Sequence, residues 1–251
     1  MSTLPRRWIA RAILCGALAC APARADTVPP DILSSARALA DMIQAARAVI
    51  SESQTLINDP SIGDKGLTGQ VVLARTLAGY KAATGRDPVA GDQTTREARL
   101  LKWQMEAIVE AVDSHQATIN VRGTGFKAFI PAAFTRLVNE AFARRAGTEA
   151  HVKQTAPRPL IRNRKALPDA AESAAIAEHF LSPTWPKGQA LAIDGANGPR
   201  PAFRILFPEY YSESCMSCHG LPKGSIDITG YPREGAKAGD LGGVLSITIA
   251  R

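Results

Sequence analysis

The sequence predicts an α+β protein, in which a helical N-terminal region precedes a smaller half built around an antiparallel sheet. Up to about residue 150, apolar residues recur at helical spacing. Beyond that point the apolar segments become short and alternate with polar residues, as they do in strands. Gly and Pro are dense from residue 183 to 243, which is typical of loops between short elements.

The first 25 residues have the pattern of a secretory signal peptide. Arg6 and Arg7 precede an uncharged apolar stretch, and residues 23–25 (Ala-Arg-Ala) supply a small-x-small cleavage site. The stretch is shorter than the roughly 20 apolar residues of a spanning helix. We therefore expect an exported, periplasmic protein that begins at Asp26 and has no stable membrane insertion. A lipoprotein acylated at Cys20 is the alternative.

Removal of this segment changes the charge and the cysteine content. The segment holds four arginines and no acidic residue, so the formal net charge falls from +7 to +3. A mature chain so close to neutral is not expected to bind nucleic acid. Cys15 and Cys20 leave with the signal, so Cys215 and Cys218 are the cysteines that remain.

Four helices are predicted before residue 150. Asp31 is a candidate N-cap for the first helix. Thr94 and Glu97 have the spacing of a capping box at the start of the third. Pro131 suits the first turn of the fourth, which ends near Gly147. The predicted spans are about 32–46, 68–80, 94–115 and 131–147.

The second half is predicted to hold four short strands and one helix. The best strand alternates apolar and polar residues from Val244 to Ile249. The helix begins at Pro168-Asp169 and reaches Leu181. The other strands are predicted at 151–155, 189–193 and 203–207. The predicted organisation is a signal peptide over 1–25, a helical region over 26–124 and a second domain over 125–251.

The run from Cys215 to His219 matches the Cys-x-x-Cys-His attachment motif for c-type haem. Two thiols at this spacing can add to the two vinyl groups of one porphyrin edge, and the following imidazole then reaches the iron. Because attachment takes place outside the cytoplasm, the export signal supports the motif. We predict one covalent haem c, with Cys215 and Cys218 as thioether positions and His219 as the metal ligand.

A redox dithiol and half of a zinc site are the alternatives to haem. A thioredoxin-like motif belongs to a βαβ unit, which is not predicted around Cys215. A zinc site needs further Cys or His residues, and His219 is the one histidine nearby. Both alternatives are therefore disfavoured.

The position of the motif also disfavours two common kinds of cytochrome. A Met/His electron carrier needs a downstream methionine, and Met216 is the last methionine of the chain. A four-helix-bundle cytochrome carries its motif on the last helix, but the tail after His219 is rich in Gly and Pro.

Several motifs of the second half occur together. They are residues 151–155 (His-Val-Lys-Gln-Thr), Arg162-Asn163, Pro168-Asp169 with Glu172, the haem motif followed by Gly220, Gly230-Tyr231 with Glu234-Gly235, and Gly239-Asp240 with Gly242-Gly243. Over about residues 125–251 this set resembles the Tll-type periplasmic c-type haem domain family, long catalogued as a domain of unknown function. The resemblance implies a PAS-like fold, with an antiparallel sheet, flanking helices and haem c held against the sheet.

The same resemblance assigns site residues. It makes Cys215 and Cys218 the thioether positions and His219 the proximal ligand, and it places Arg162 and Asn163 near the haem pocket as cofactor-binding residues. Contact with the haem propionates would suit an arginine, and an ordinary loop-stabilising arginine is the alternative.

The other side of the iron is predicted to be open. Some family members are thought to use an upstream thiolate there, whereas the corresponding helix of this chain offers Phe134. Met42 and Met105 are expected in the core, and Lys127 is expected to be solvated. The full set of candidate distal ligands is His115, His151, His179, Met42, Met105 and Lys127.

Together these observations predict a periplasmic monohaem protein that senses redox state or a small diatomic gas. In some relatives the domain precedes a histidine-kinase or chemoreceptor output. The chain ends at Arg251 without one, so signalling would need a separate partner protein. A periplasmic electron-transfer cytochrome with a redox partner protein is the alternative. A haem peroxidase is less expected, because no distal acid–base residue is identified and no catalytic residue is predicted.

Overall fold

A computed structural model describes residues 28–197 and 200–251. The predicted signal peptide, residues 1–25, lies outside the described residues. Within them, no helix combines the length and apolar character needed to cross a membrane.

Helices dominate the chain before residue 150, and the four predicted helices are confirmed. Long helices α1, α3, α4 and α6 pack together, and short helices α2 and α5 connect them. The bounds are α1 Pro30–Glu52, α2 Gln54–Asn58, α3 Gly69–Thr84, α4 Arg96–Asp113, α5 Gln116–Ile119 and α6 Pro131–Ala146.

Two predicted N-caps are wrong, by two residues in α1 and by one residue in α4. Asp31 does not cap α1, because that helix already begins at Pro30 and has no side-chain cap. In α4 the N-cap is Thr95, whose hydroxyl accepts from the Ala98 amide at 3.2 Å. The Thr94 amide and hydroxyl both bind Asp92, at 2.8 and 2.7 Å, so Thr94 belongs to the preceding turn and forms no capping box.

One antiparallel sheet follows, with strand order β1–β4–β3–β2. All four predicted strands are present, although β3 and β4 are longer than predicted and β2 begins two residues later and ends four residues later than predicted. The bounds are β1 Ala150–Thr155, β2 Leu191–Asn197, β3 Arg200–Tyr210 and β4 Leu241–Ala250. The predicted α+β class is confirmed.

The two faces of the sheet are covered by different helices. Val152, Ile205 and Ile247 point toward α1 and α6 and share one buried core with them. Leu206 and Val244 point to the opposite face and pack against α7 (Ala170–Ala175) and the π-helical turn Ile176–Phe180 that continues it. One buried core includes residues from both halves of the chain. The predicted domain boundary between residues 124 and 125 stays a prediction.

The predicted helix from Asp169 to Leu181 is confirmed, and its start has a clear local cause. Asp169 accepts from the Glu172 amide at 2.8 Å, and the Glu172 carboxylate accepts from the Asp169 amide at 2.9 Å. This reciprocal pair is a capping box. It fixes the position at which the helix crosses the outer face of the sheet.

The end of strand β3 leads directly to the candidate site. A register irregularity between Glu209 and Tyr210 ends the regular pairing of β3 with β4. The chain then leaves the end of β3 through Tyr211 and enters the short helix α8 (Met216–His219). The Cys-x-x-Cys-His motif therefore lies on a loop that the central strand pair anchors.

Candidate haem-attachment site

The two cysteines of the motif lie on one tight turn. Cys215 ends the 3₁₀ turn Glu213–Cys215, and Cys218 lies three residues later within α8. Residues at this spacing share one side of a helical turn. Both thiols are free and half-buried, and the Ser212 hydroxyl lies 3.3 Å from the Cys215 Sγ. The turn thus offers two reduced sulfurs together.

The His219 ring is held through one of its two nitrogens. Its Nδ1 lies 2.8 Å from Oε2 of Glu234 and 3.3 Å from the Tyr211 hydroxyl. The Tyr211 ring stacks on the imidazole, with the centroids 4.7 Å apart and the planes inclined by 28°. An ionised carboxylate can only accept, so we assign the proton to Nδ1. Nε2 is then the nitrogen with a lone pair for a metal.

Arg162 joins three segments of the chain around this histidine. Its Nε donates to Glu234 at 3.0 Å and its Nη1 donates to Asp227 at 2.6 Å. Its Nη2 donates to the Cys218 carbonyl at 3.0 Å. Burial alone would lower the pKa of Arg162, but the bonds to the two carboxylates raise it. The guanidinium therefore stays charged and fastens the loop after α8 to the motif.

Asp227 is the buried end of this network, with 6 % of its surface exposed. Its Oδ1 accepts from the Thr229 amide at 2.7 Å and from the Tyr231 amide at 3.1 Å. Burial would raise the pKa of Asp227, but the hydrogen bonds from Thr229 and Arg162 together lower it well below its usual range. Asp227 is thus an ionised carboxylate at all ordinary pH values.

The tyrosine beside the imidazole stays neutral. Burial, with the negative charge of Glu234, raises the pKa of Tyr211 to about 12. Its ring also depends on a glycine, since a Cβ on Gly242 would come within 2.7 Å of ring carbons of Tyr211. Gly242 therefore leaves the space in which Tyr211 lies against His219.

A known protein family matches most of the chain. The sequence profile of the Tll0287-like family matches residues 26–250, nearly the whole chain after the predicted signal. The chain belongs to the Tll0287-like family. The expected match over 125–251 was too short, because the family pattern includes the N-terminal helices. No curated protein and no solved structure matches the chain significantly.

The two further cofactor-binding residues predicted for this Tll0287-like protein are placed differently. Arg162 lies beside the motif, and its Nη2 is 3.5 Å from Nδ1 of His219. Its guanidinium is already shared among protein acceptors, which favours the loop-stabilising interpretation over a propionate contact. Asn163 is exposed, and its side chain accepts from the Lys165 amide at 3.0 Å. Its role near a haem pocket stays a prediction.

Two of the three histidines considered as distal ligands contact other groups in the Tll0287-like protein. Nδ1 of His115 lies 2.9 Å from the Ala111 carbonyl. His179 lies edge-on against Trp185, with the ring centroids 4.7 Å apart. His151 lies on β1, in the part of the sheet paired with β4.

The other distal candidates belong to the helical core. Met42 is fully buried there and Met105 packs against it, as predicted. Phe134 is fully buried in the same core. The prediction that Lys127 is solvated is wrong. Only 4 % of its surface is exposed, and its ammonium donates to the Ile57 carbonyl at 2.7 Å.

Tyr211, Asp227 and Glu234 were not predicted from the sequence as site residues. Glu234 did stand in the quoted motif with Gly230 and Tyr231, but nothing local indicated its contact with His219. Over the described residues, no group of three or more His, Cys, Asp or Glu side chains is arranged to hold a bare metal ion. The donor set instead comprises two neighbouring thiols and one imidazole nitrogen.

Proposed function

We propose that this Tll0287-like protein is an exported monohaem c-type protein. In this proposal Cys215 and Cys218 hold the porphyrin through thioether bonds, and Nε2 of His219 ligates the iron. The observation that carries the proposal is the joint presentation of two free thiols and one oriented imidazole on a single turn. Haem, when bound, supplies an iron that changes oxidation state and can take a diatomic gas at an open position.

The residues of the turn can perform the attachment without an external oxidant. Each thiol adds across one vinyl double bond, so that sulfur bonds one carbon and the thiol hydrogen goes to the other. Glu234 meanwhile accepts the Nδ1 proton of His219 in a hydrogen bond, which leaves the lone pair on Nε2 for the iron. A bare zinc site would need further donors, for which the described residues offer no suitable group.

A sensing role is the version that the rest of the structure favours. The antiparallel sheet with helices on both faces fits the PAS-like fold that the family resemblance implies. Among the candidate distal ligands, His115 has a hydrogen-bond partner, His179 packs edge-on against Trp185, and Met42 is enclosed in the helical core. An open distal position would admit a small gas, and a separate partner protein would then receive the signal.

Electron transfer is the second candidate, and one observation favours it. Three large apolar side chains are exposed in the segment after the motif: Leu221 (67 %), Ile226 (65 %) and Ile228 (60 %). These three residues all lie within residues 221–228, and a contiguous group of exposed apolar side chains commonly marks a contact surface. A redox partner protein that docked there would lie close to the haem.

Optical spectra and intact mass of the mature protein, purified after export, test this proposal. We expect a c-type haemochrome, a mass increase of one haem and CO binding to the ferrous form. Cys215→Ala with Cys218→Ala should abolish covalent haem, whereas Ser217→Ala, between them, should retain it. Normal attachment in the double variant would refute the proposal. A ferrous form inert to CO would refute gas sensing and favour electron transfer.

A further inference from the structure

The contacts of His219 also point to how its iron would be tuned. We propose that Glu234 is a positioning residue that gives His219 partial imidazolate character, and that Arg162 limits this effect. The inference rests on the proposed haem function and goes beyond it, because it assigns the control of the iron's redox balance to two residues that do not touch the iron.

The Glu234 carboxylate is well placed to attract the Nδ1 proton. Only 16 % of its side chain is exposed, so water competes weakly for its oxygens. Oε2 lies 2.8 Å from Nδ1 of His219. A carboxylate partner makes a ligating imidazole more basic. A more basic His219 donates more electron density through Nε2, which favours the ferric over the ferrous state.

Arg162 also binds the Glu234 carboxylate and so weakens the attraction of that carboxylate for the Nδ1 proton of His219. Its Nε donates to Oε1 of Glu234 at 3.0 Å, and its Nη2 donates to Oε2 at 3.1 Å. The guanidinium is itself balanced by Asp227, whose Oδ2 lies 2.6 Å from Nη1. Two carboxylates and one guanidinium leave one negative charge behind the histidine. A partly buried negative charge there also favours the more positive iron.

The orientation of the ring is fixed by groups other than the iron. Tyr211 stacks on one face of the imidazole at 4.7 Å. The His219 carbonyl accepts from the Ala236 amide at 2.8 Å, so the loop that carries Glu234 returns to the ligand's own backbone. Rotation of the ring would break the bond to Glu234 and displace Tyr211. The charge of Glu234 is therefore coupled to one ring geometry.

The first test is a spectroelectrochemical titration of the haem-loaded protein with Glu234→Gln. The amide keeps the size of the side chain and removes the negative charge. We expect the ferrous form to be favoured about tenfold, a rise of about 59 mV for a one-electron couple. Glu213→Gln is the matched control, because Glu213 is an exposed acid in the same 3₁₀ turn as Cys215. We expect less than half of that shift. Equal shifts in both variants would refute the inference, since charge alone would then explain them.

The second test separates hydrogen bonding from net charge. Arg162→Gln combined with Asp227→Asn removes one positive and one negative charge and leaves Glu234 unshared. We expect this double variant to favour the ferric form severalfold, opposite in sign to Glu234→Gln. An unchanged or raised potential would refute the limiting role of Arg162. The iron–histidine stretching frequency of the ferrous protein should fall in Glu234→Gln, and an unaltered frequency would refute the assigned imidazolate character.

The experiments distinguish failure of the proposed haem function from failure of the inference about Glu234. If the unaltered protein carries no covalent haem, the proposed function fails. If it carries haem normally and Glu234→Gln does not change the potential, only the present inference fails. Should Glu234→Gln prevent haem attachment, Glu234→Asp takes its place, because the shorter carboxylate lengthens the bond to Nδ1. That variant is expected to raise the potential, and an unchanged value would refute the inference.

Discussion

Replacement of Asp227 by Asn would remove the buried charge on which the loop after α8 depends. The carboxylate accepts at 2.7 Å from the Thr229 amide, at 2.6 Å from the Thr229 hydroxyl and at 2.6 Å from Arg162 Nη1. Removing one partner of a buried pair costs about 3–5 kcal/mol when the other charge is left alone. Arg162 keeps Glu234 as a second partner, and 21 % of its side chain is exposed. We therefore expect a loss of about 2–3 kcal/mol in the free energy of unfolding at pH 7.

The same carboxylate should make the stability depend on pH. An unfolded aspartate has a pKa of about 3.9, and the folded pKa of Asp227 is lower. Its contribution is therefore fully present above about pH 4 and is lost as the pH falls toward the folded pKa. The difference in stability between the unaltered protein and Asp227→Asn should consequently shrink between pH 7 and pH 3.

Urea unfolding of the mature protein, followed by circular dichroism at both pH values, measures these effects. Asp240→Asn is the matched control, because Asp240 is exposed and its carboxylate accepts from the Lys237 amide at 2.8 Å. We expect a change within about 0.5 kcal/mol for the control. An equal loss in both variants, or a difference that does not shrink at pH 3, would show that the Asp227 network does not hold the loop.

Three further substitutions test other parts of the molecule. Gly242→Ala should cost about 1–3 kcal/mol in thermal unfolding, because the new Cβ would lie 2.7 Å from a tyrosine ring; a neutral effect would contradict the close approach. Arg47→Gln should cost about 3–5 kcal/mol in urea unfolding, because it leaves the buried Glu209 carboxylate without its cation. Adding Glu209→Gln should restore at least half of that loss, and no recovery would exclude the pair as its cause. Thr95→Ala should lower the free energy of unfolding by about 1 kcal/mol through loss of the α4 cap, whereas Thr94→Ala should change it by less than about 0.5 kcal/mol. Equal losses in urea unfolding would contradict the assignment of the cap to Thr95.

The elements with a strong local pattern were predictable from the sequence. Apolar residues at helical spacing predicted α1 and α4, and alternation from Val244 to Ile249 predicted β4. The fine position of the helix caps was not predictable, because both Thr94 and Thr95 can cap a helix. Asp92 decides which threonine caps α4, because its carboxylate accepts from the Thr94 amide and hydroxyl and holds Thr94 in the preceding turn.

The residues of the candidate site were predictable only where they lie close together in the sequence. Cys215, Cys218 and His219 are neighbours, so their spacing alone indicated haem attachment. Glu234 lies 15 residues beyond His219, and Arg162 lies 57 residues before it. Only the return of the loop onto α8 brings these charges together. Lys127 shows the same limit, since its ammonium binds carbonyl groups at the C-terminal end of α2, about 70 residues away in the sequence.

The residues around His219 would affect how haem attachment proceeds in the proposed haem protein. Every group that orients His219, namely Glu234, Tyr211 and the Arg162 guanidinium, belongs to the chain itself. In the proposed haem protein, these contacts would reduce the rotational freedom that the imidazole loses when it ligates the iron. Such preorganisation is what a binding site requires from the residues that support its ligands. In the proposed haem protein, disruption of Arg162 or Asp227 should slow attachment, because Arg162 holds Glu234 behind the histidine and reaches the cysteines only through the Cys218 carbonyl, not through a thiol.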